Sequence, residues 1–267
     1  MIVRWAVAAA LTRRDFEIAR SYRVAFVLDV FWGAIDVLFY FYFSKIVGIA
    51  PATDLDGAPS YFAFALAGMA ISVVILSATS TISNRIREEQ LTGTLELTCG
   101  NPVRPAELAL GTAAFPFLYA AVRVVVYLAL GVAFLGLEAG EVNWAGVVAI
   151  VPLAALAMLG VGVLAAAATI VFKRGGSVVT VAVFAMTFIS GALFPIDLLP
   201  EWLQPVGRAM PTAAALDGLR QALYGGSSVW PDALTLAGWT AVLLPLSLAL
   251  FGMGVSKARA QGALAQY

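Results

Sequence analysis

Residues 142–172 read VNWAGVVAIVPLAALAMLGVGVLAAAATIVF, an apolar run without one charged side chain. The hydrocarbon core of a bilayer takes about 20 apolar residues per helix, so this run is more than long enough to cross it. A membrane strand would alternate apolar and polar side chains with period two. Here apolar residues succeed one another directly, which leaves the helix. Working outward, five further stretches meet or approach the same length: Val24–Ile49, Tyr61–Ile82, Leu108–Leu137, Val178–Phe194 and Ala233–Val255. The expectation is an all-α membrane protein with six transmembrane helices. The third and fourth spans are long enough to tilt or to pass beyond the membrane. The fifth is short and is expected to break at Pro195.

Composition agrees. Of 267 residues, 61% are hydrophobic and 12% charged, with a mean hydropathy of +0.92. Soluble domains run near 45–50% apolar and about 25% charged, so a soluble enzyme and a disordered chain are both excluded. The chain has no histidine, which removes His-ligated metals, Ser-His-Asp triads and His proton relays. Its one cysteine, Cys99, allows no intrachain disulfide or thiolate cluster. No stretch reads G-x-x-x-x-G-K-[ST], so the chain has no phosphate-binding loop with which to hydrolyse ATP. No catalytic residue and no metal site are expected.

Loop charges set the orientation. Arg4, Arg13, Arg14, Arg20 and Arg23 precede the first span. Arg85, Arg87 and Arg104 lie before the third, Lys173 and Arg174 before the fifth, and Lys257 and Arg259 after the sixth. Twelve of the sixteen basic residues thus fall on one side, whereas the opposite loops carry Asp54, Asp56, Glu138, Glu141, Asp197, Glu201, Asp217 and Asp232 against Arg208 and Arg220. The positive-inside rule places both termini in the cytoplasm of a multi-pass cell-membrane protein. Residues 1–23 read as a basic amphipathic helix on the inner leaflet, where its arginines reach anionic headgroups. Thr12-Arg13-Arg14-Asp15-Phe16 looks like a twin-arginine export signal, but Arg20 and Arg23 interrupt the apolar region such a signal needs, and a full span comes next. Residues 24–256 then form the transmembrane domain and 257–267 a cytoplasmic tail.

Two segments are not spans. The first, SNRIREEQLTGTLELTCGNPVRP at 83–105, is too polar to insert and is punctuated like two short helices. Glu88 and Glu89 end the first, and Gly93 with Glu96 three residues on begins the second. A solvated connector accounts for it, as does a docking element for a soluble partner. The second, residues 195–232, is cut by prolines at 195, 200, 205, 211 and 231 into pieces too short to cross. Pro200-Glu201-Trp202 suits a helix start, and Thr212 suits the cap of a helix running to Tyr224 and stopped by Gly225-Gly226. This reads as an outer pair of re-entrant or surface-lying helices.

The two segments together resemble a known family. Glu88-Glu89, then Gly93-Thr94-Leu95-Glu96, then Asn101-Pro102-Val103 is similar to the cytoplasmic coupling region of type-2 ABC exporter permeases. Gly191-Ala-Leu-Phe-Pro195, Leu199-Pro200-Glu201-Trp202-Leu203, Pro211 and Asp217-Gly218-Leu219-Arg220 resemble the outer hairpin of the same family. The resemblance implies a transport subunit that is not itself an enzyme. It pairs with a second permease subunit, the same chain or a close paralogue, and with two ABC ATPase subunits that hold ATP and magnesium. Glu88, Glu89, Gly93, Thr94, Leu95 and Glu96 would sit in a groove of the ATPase. Pro195, Pro200, Trp202, Pro211, Asp217 and Arg220 would belong to a hairpin lining or capping the exit route. Cargo in such families includes drugs, natural products, polysaccharides and lipids. Membrane lipids are expected partners and nucleic acid is not.

Within the spans, each charge at a helix centre is unfavourable by about 2.5–3.5 kcal/mol on insertion scales. Asp36 lies about 18 Å and Arg123 about 22 Å from the cytoplasmic end at 1.5 Å per residue, so the two are candidates to pair at one depth; separate snorkelling is the alternative. Asp29 falls near the inner headgroups, and Lys45 near the outer end is expected to snorkel. Gly160-Val-Gly162 allows close helix approach, read first as packing within the chain. Two other functions fit less well. An ion-coupled secondary transporter using Asp29 and Asp36 would show an internal repeat, which is absent. A lipid-modifying enzyme is suggested only by Asp217-Gly218-Leu219-Arg220, which lacks the later aspartates of a phosphatidyltransferase signature.

Overall fold

A computed structural model describes residues 5–47, 55, 57–91, 105–135, 142–171, 175–225 and 228–260. Every regular element among these is helical: α1 (Trp5–Ser21), α2 (Arg23–Val47), α3 (Tyr61–Leu91), α4 (Pro105–Leu135), α5 (Trp144–Val171), α6 (Gly175–Ile189), α7 (Gln204–Ala209), α8 (Pro211–Tyr224) and α9 (Trp230–Ala260), with a 3₁₀ turn at Ile196–Leu198. Four contain stretches long and apolar enough to cross a membrane: Tyr61–Thr79 in α3, Ala106–Val132 in α4, Trp144–Ala168 in α5 and Trp230–Lys257 in α9. The uncharged run at 142–172 becomes α5, and it sits at the centre of the bundle. Its most extensive neighbours are α9 and α3, and α8 packs on it as well.

Small residues make that packing close. A Cβ on Gly162 would stand 1.9 Å from the Ala78 carbonyl oxygen of α3, and one on Gly160 would stand 2.8 Å from Leu243 Cβ of α9. Gly160 and Gly162 are therefore consumed by contacts inside the chain, where glycine lets backbones touch. Leu66, Ile71 and Ile75 of α3, Ile150 and Met158 of α5, and Leu216 and Leu219 of α8 are fully buried in one core. By contrast α2 is peripheral, packing on α3 and α4, with Phe31, Trp32, Phe39 and Tyr42 exposed. Near its end Lys45 Nζ lies 4.5 Å from the centroid of the Phe41 ring, a cation held by its own helix's aromatic surface.

Four boundaries differ from those expected. The helix expected over Val178–Phe194 is α6, Gly175–Ile189, and it ends before Pro195 is reached. Gly191 takes φ +83°, a conformation open to glycine that reverses the chain four residues before the proline. The first short helix expected after residue 83 does not exist as a separate piece. Helix α3 continues to Leu91, because Ser83 to Leu91 contains neither glycine nor proline and much of it is strong helix former. At 31 residues α3 is about 46 Å long against a core of about 30 Å, so roughly three turns extend past its apolar part. The helix expected to open at Pro200 begins at Gln204 after a turn.

The next helix starts differently too. Met210 occupies the cap position of α8 without a capping side chain, and Pro211 opens the helix. Proline's fixed φ and missing N–H suit that first position, so Thr212 lies within the first turn and is not the cap. The end of α8 is as expected, with Gly225 left-handed at φ 68° after Tyr224.

Candidate functional site

Among the described residues, a polar joint forms where the first turns of α3 meet the α6–α7 turn and helix α8. Helix α8 is unusual for its composition, since eleven of its fourteen residues are buried. Leu216, Leu219 and Leu223 are all buried there. So is Arg220, which is 2% exposed. Its Nη2 donates to the Gly191 carbonyl at 2.7 Å, and its guanidinium lies 3.7 Å from the centroid of the Phe64 ring. Its Nη1 stands 3.9 Å from Asp217 Oδ1 one helical turn back, and the Asp217 side chain is only half-buried.

Two more side chains tie the same elements. The Tyr224 hydroxyl donates to the Ala63 carbonyl at 2.6 Å, and the Tyr61 hydroxyl donates to the Leu193 carbonyl at 3.1 Å. Burial pushes the Tyr224 hydroxyl well above the ordinary phenol range, against a smaller lowering pull from Arg220, so it stays a donor. Gly68 completes the joint: a Cβ there would lie 1.9 Å from the Ala192 carbonyl oxygen. The N-terminal two turns of α3, the 190–194 turn and α8 thus meet through backbone carbonyls fixed by side-chain donors. Such contacts count because the carbonyls they answer are buried and would otherwise lack donors.

The other expected hairpin residues are placed less tightly. Pro195 is buried and precedes the 3₁₀ turn, Pro200 is exposed, and Pro211 is buried at the start of α8. Trp202 is 75% exposed, as suits an indole at an apolar–aqueous boundary. The α7 segment is held by an ion pair between Arg208 and Asp197 and by Gln204 Nε2 donating to the carbonyls of Asp197 and Leu199.

The expected intramembrane pair lies on α2 and α4, away from this joint. Arg123 Nη2 donates to the Tyr127 hydroxyl at 2.8 Å, and its charge acts on Asp36. The two helices touch one turn earlier on α2, where a Cβ on Gly33 would stand 2.7 Å from Tyr127 Cε1. Of the expected coupling residues, Glu88 and Glu89 fall in the last turn of α3. Gly93, Thr94, Leu95 and Glu96 lie outside the described residues, as does Cys99. Sequence reasoning passed over Tyr61, Phe64, Gly68 and Tyr224. The only signal among them was Gly68, a glycine inside a helical run, which often marks close backbone approach.

The described residues form an all-helical, largely apolar bundle in which buried side-chain donors fix helices to one another. The family model for the ABC-2 type transporter matches residues 8–224, and the chain belongs to that family, whose members are membrane permease subunits of ABC transporters and not themselves enzymes. It is similar to the linearmycin resistance permease protein LnrN of Bacillus subtilis, 29% identical over 122 residues, 45% of this chain and 31% of that protein. It is also similar to nodulation protein J of Rhizobium meliloti, 28% identical over 179 residues, 66% of each. The matched stretches therefore span under a third of the first relative and just under two thirds of the second.

Proposed function

We propose that this chain is the membrane half of an ATP-driven exporter for an amphipathic substrate. In this reading α2, α3, α4, α5, α6 and α9 are the six spans, both termini are cytoplasmic, and residues 195–232 form the outer re-entrant hairpin. Two copies, or one copy and a close paralogue, enclose the path. Two separate ABC ATPase subunits bind ATP and magnesium and engage residues 83–105 through Glu88, Glu89, Gly93, Thr94, Leu95 and Glu96. No chemistry occurs in this chain; its residues move the path between inward and outward openings. The cargo class is an apolar molecule with a polar part, such as a drug, natural product, lipid or polysaccharide. The name of the linearmycin resistance permease and the family's role support export.

The single observation that carries the reading is the continuity of α3. One helix runs unbroken from the joint with Arg220 and Tyr224 at its first turns to Glu88 and Glu89 in its last. A force applied at the glutamate end reaches the hairpin through hydrogen-bonded backbone, with no hinge glycine or proline between Gly68 and Leu91. The test is an affinity pull-down of the full chain from detergent, wild type against Glu88→Lys/Glu96→Lys. Recovery of a P-loop ATPase with wild type and its loss with the variant is the expected result. Recovery with both keeps the ATPase partner but moves the contact elsewhere. No ATPase with either, from a stable preparation, removes the reading in favour of ion-coupled transport.

A further inference from the structure

We propose that the cleft between α1, α2 and α4 is a binding site for one anionic phospholipid molecule. The cleft has a volume of about 350 Å³ and is lined by Phe16, Val27, Phe115, Leu118 and Val122, with Arg20 on its wall. That volume is at the low end for ligand pockets, roughly 300–1,000 Å³, and suits a single slender chain. Phe16, Val27 and Leu118 are half or more exposed, so the cleft opens sideways between the basic amphipathic α1 and the apolar helices α2 and α4. That opening lets an acyl chain lie against α2 and α4 with its headgroup at α1.

Charge selects which lipid. Of the three arginines on α1, two are already engaged by carboxylates of the same helix: Arg13 stands 3.9 Å from Glu17, and Arg14 stands 3.0 Å from Asp15. Arg20 is exposed and, among the described residues, has no ion pair. A guanidinium beside an apolar cleft, with no acidic partner of its own, fits a phosphate with an acyl chain attached. A second chamber of about 240 Å³ shares Ala19, Phe115 and Tyr119 with the first and contains the buried Asp15. Asp15 there is already paired with Arg14, so that chamber presents a phosphate with no unengaged cation, and the phosphate stays at Arg20 while the chain lies along α4. This site does not depend on the ATPase partnership proposed above.

Native mass spectrometry of the full chain in detergent tests it, with phosphatidylglycerol and phosphatidylcholine of identical chains supplied in equal amounts. Wild type is expected to retain phosphatidylglycerol about fivefold over phosphatidylcholine, the factor one arginine near an anionic headgroup supplies. Arg20→Gln brings the two to parity, Arg20→Lys keeps a preference, and Ala19→Trp, which places an indole in the cleft, reduces retention of both. An unchanged preference in Arg20→Gln overturns the proposal. So does displacement of the lipid from wild type by inorganic phosphate, which would make this a free-phosphate site. Because a variant can misfold, wild type is also labelled with phosphatidylglycerol bearing a photoreactive group in its acyl chain. Adducts within residues 16–27 and 115–122 support the site, and adducts confined to other segments overturn it.

Discussion

Arg220 and Arg123 both sit on apolar helices, and the molecule treats them in opposite ways. Arg220 is sealed in from every side, gives one donor to a backbone carbonyl and lays its plane over a buried ring. Arg123 is part-buried at a seam with the peripheral helix α2, where its guanidinium donates to the Tyr127 hydroxyl one turn on. A carbonyl and a ring face cannot change charge, so the first setting holds geometry. A tyrosine hydroxyl on the arginine's own helix can be replaced by another acceptor or by water, so the second setting is expected to matter less. The difference predicts unequal costs when each is broken.

The largest effect is expected from Arg220→Met. Methionine fills similar space but leaves the Gly191 carbonyl buried without its donor. An unpaired buried acceptor costs about 1–3 kcal/mol, and loss of the desolvated cation–π contact with Phe64 adds up to about 2 kcal/mol, together about 10 °C in a detergent thermal melt for a chain of this size. Arg220→Lys keeps the charge but cannot lie flat on Phe64, and an intermediate loss is expected. A loss under about 1 kcal/mol for the methionine variant would break the comparison, because the joint would then rest on apolar packing alone.

Gly68→Ala ranks next. Its Cβ meets the Ala192 backbone at 1.9 Å and not a pliable side chain, so α3 and the turn must separate, at about 1–3 kcal/mol. Gly238→Ala in α9 is the control: nothing lies within 4 Å of its added Cβ, and replacing a helical glycine with alanine there stabilises by up to about 1 kcal/mol. Opposite signs in unfolding experiments are the expected result. Equal effects would mean that the close approach of α3 to residue 192 does not hold the joint.

These residues also mark how far sequence alone reaches. Helix α5 is legible because nothing in 142–172 competes with a buried helix, and the end of α8 is legible because Gly225 supplies the left-handed turn by itself. The end of α6 is not: Pro195 is the louder breaker, yet Gly191 stops the helix first because Ala192 must lie against Gly68, a contact between distant parts of the chain. Arg220 is legible as a hairpin residue but not as a buried one, since its partners Phe64 and Gly191 belong to other elements. Phe64 looks like any aromatic of a span, and Tyr224 like any helix end. The extension of α3 past residue 83 escapes the sequence for the opposite reason: polarity says where a helix leaves the membrane, not where it stops.

A smaller effect is expected on the Arg123 side, and it sharpens the comparison. Asp36→Asn and Arg123→Gln are each expected to destabilise by about 1 kcal/mol, and Asp36→Arg/Arg123→Asp to recover most of that loss, the signature of coupling between neighbours. Absence of recovery would show that the depth match with Asp36 carries no energy.

The smallest effect belongs to the shortest ion pair of the 195–225 segment. Arg208 and Asp197 touch directly, but their side chains are 61% and 70% exposed, so water and salt screen both charges. Exposed pairs contribute about 0–1 kcal/mol, and Asp197→Asn is expected to stay under that limit, with the difference from wild type vanishing in high salt as the Debye length falls to about 3 Å. The turn itself survives the substitution, because Gln204 Nε2 holds the carbonyls of residues 197 and 199 and not the carboxylate. Arg220 stands 3.9 Å from its carboxylate and Arg208 much nearer, yet the longer contact belongs to the arginine expected to matter most. If Asp197→Asn in low salt costs as much as Arg220→Met, then proximity of charge and not burial ranks the contacts of this segment, and the distinction drawn between the sealed arginine and the others fails.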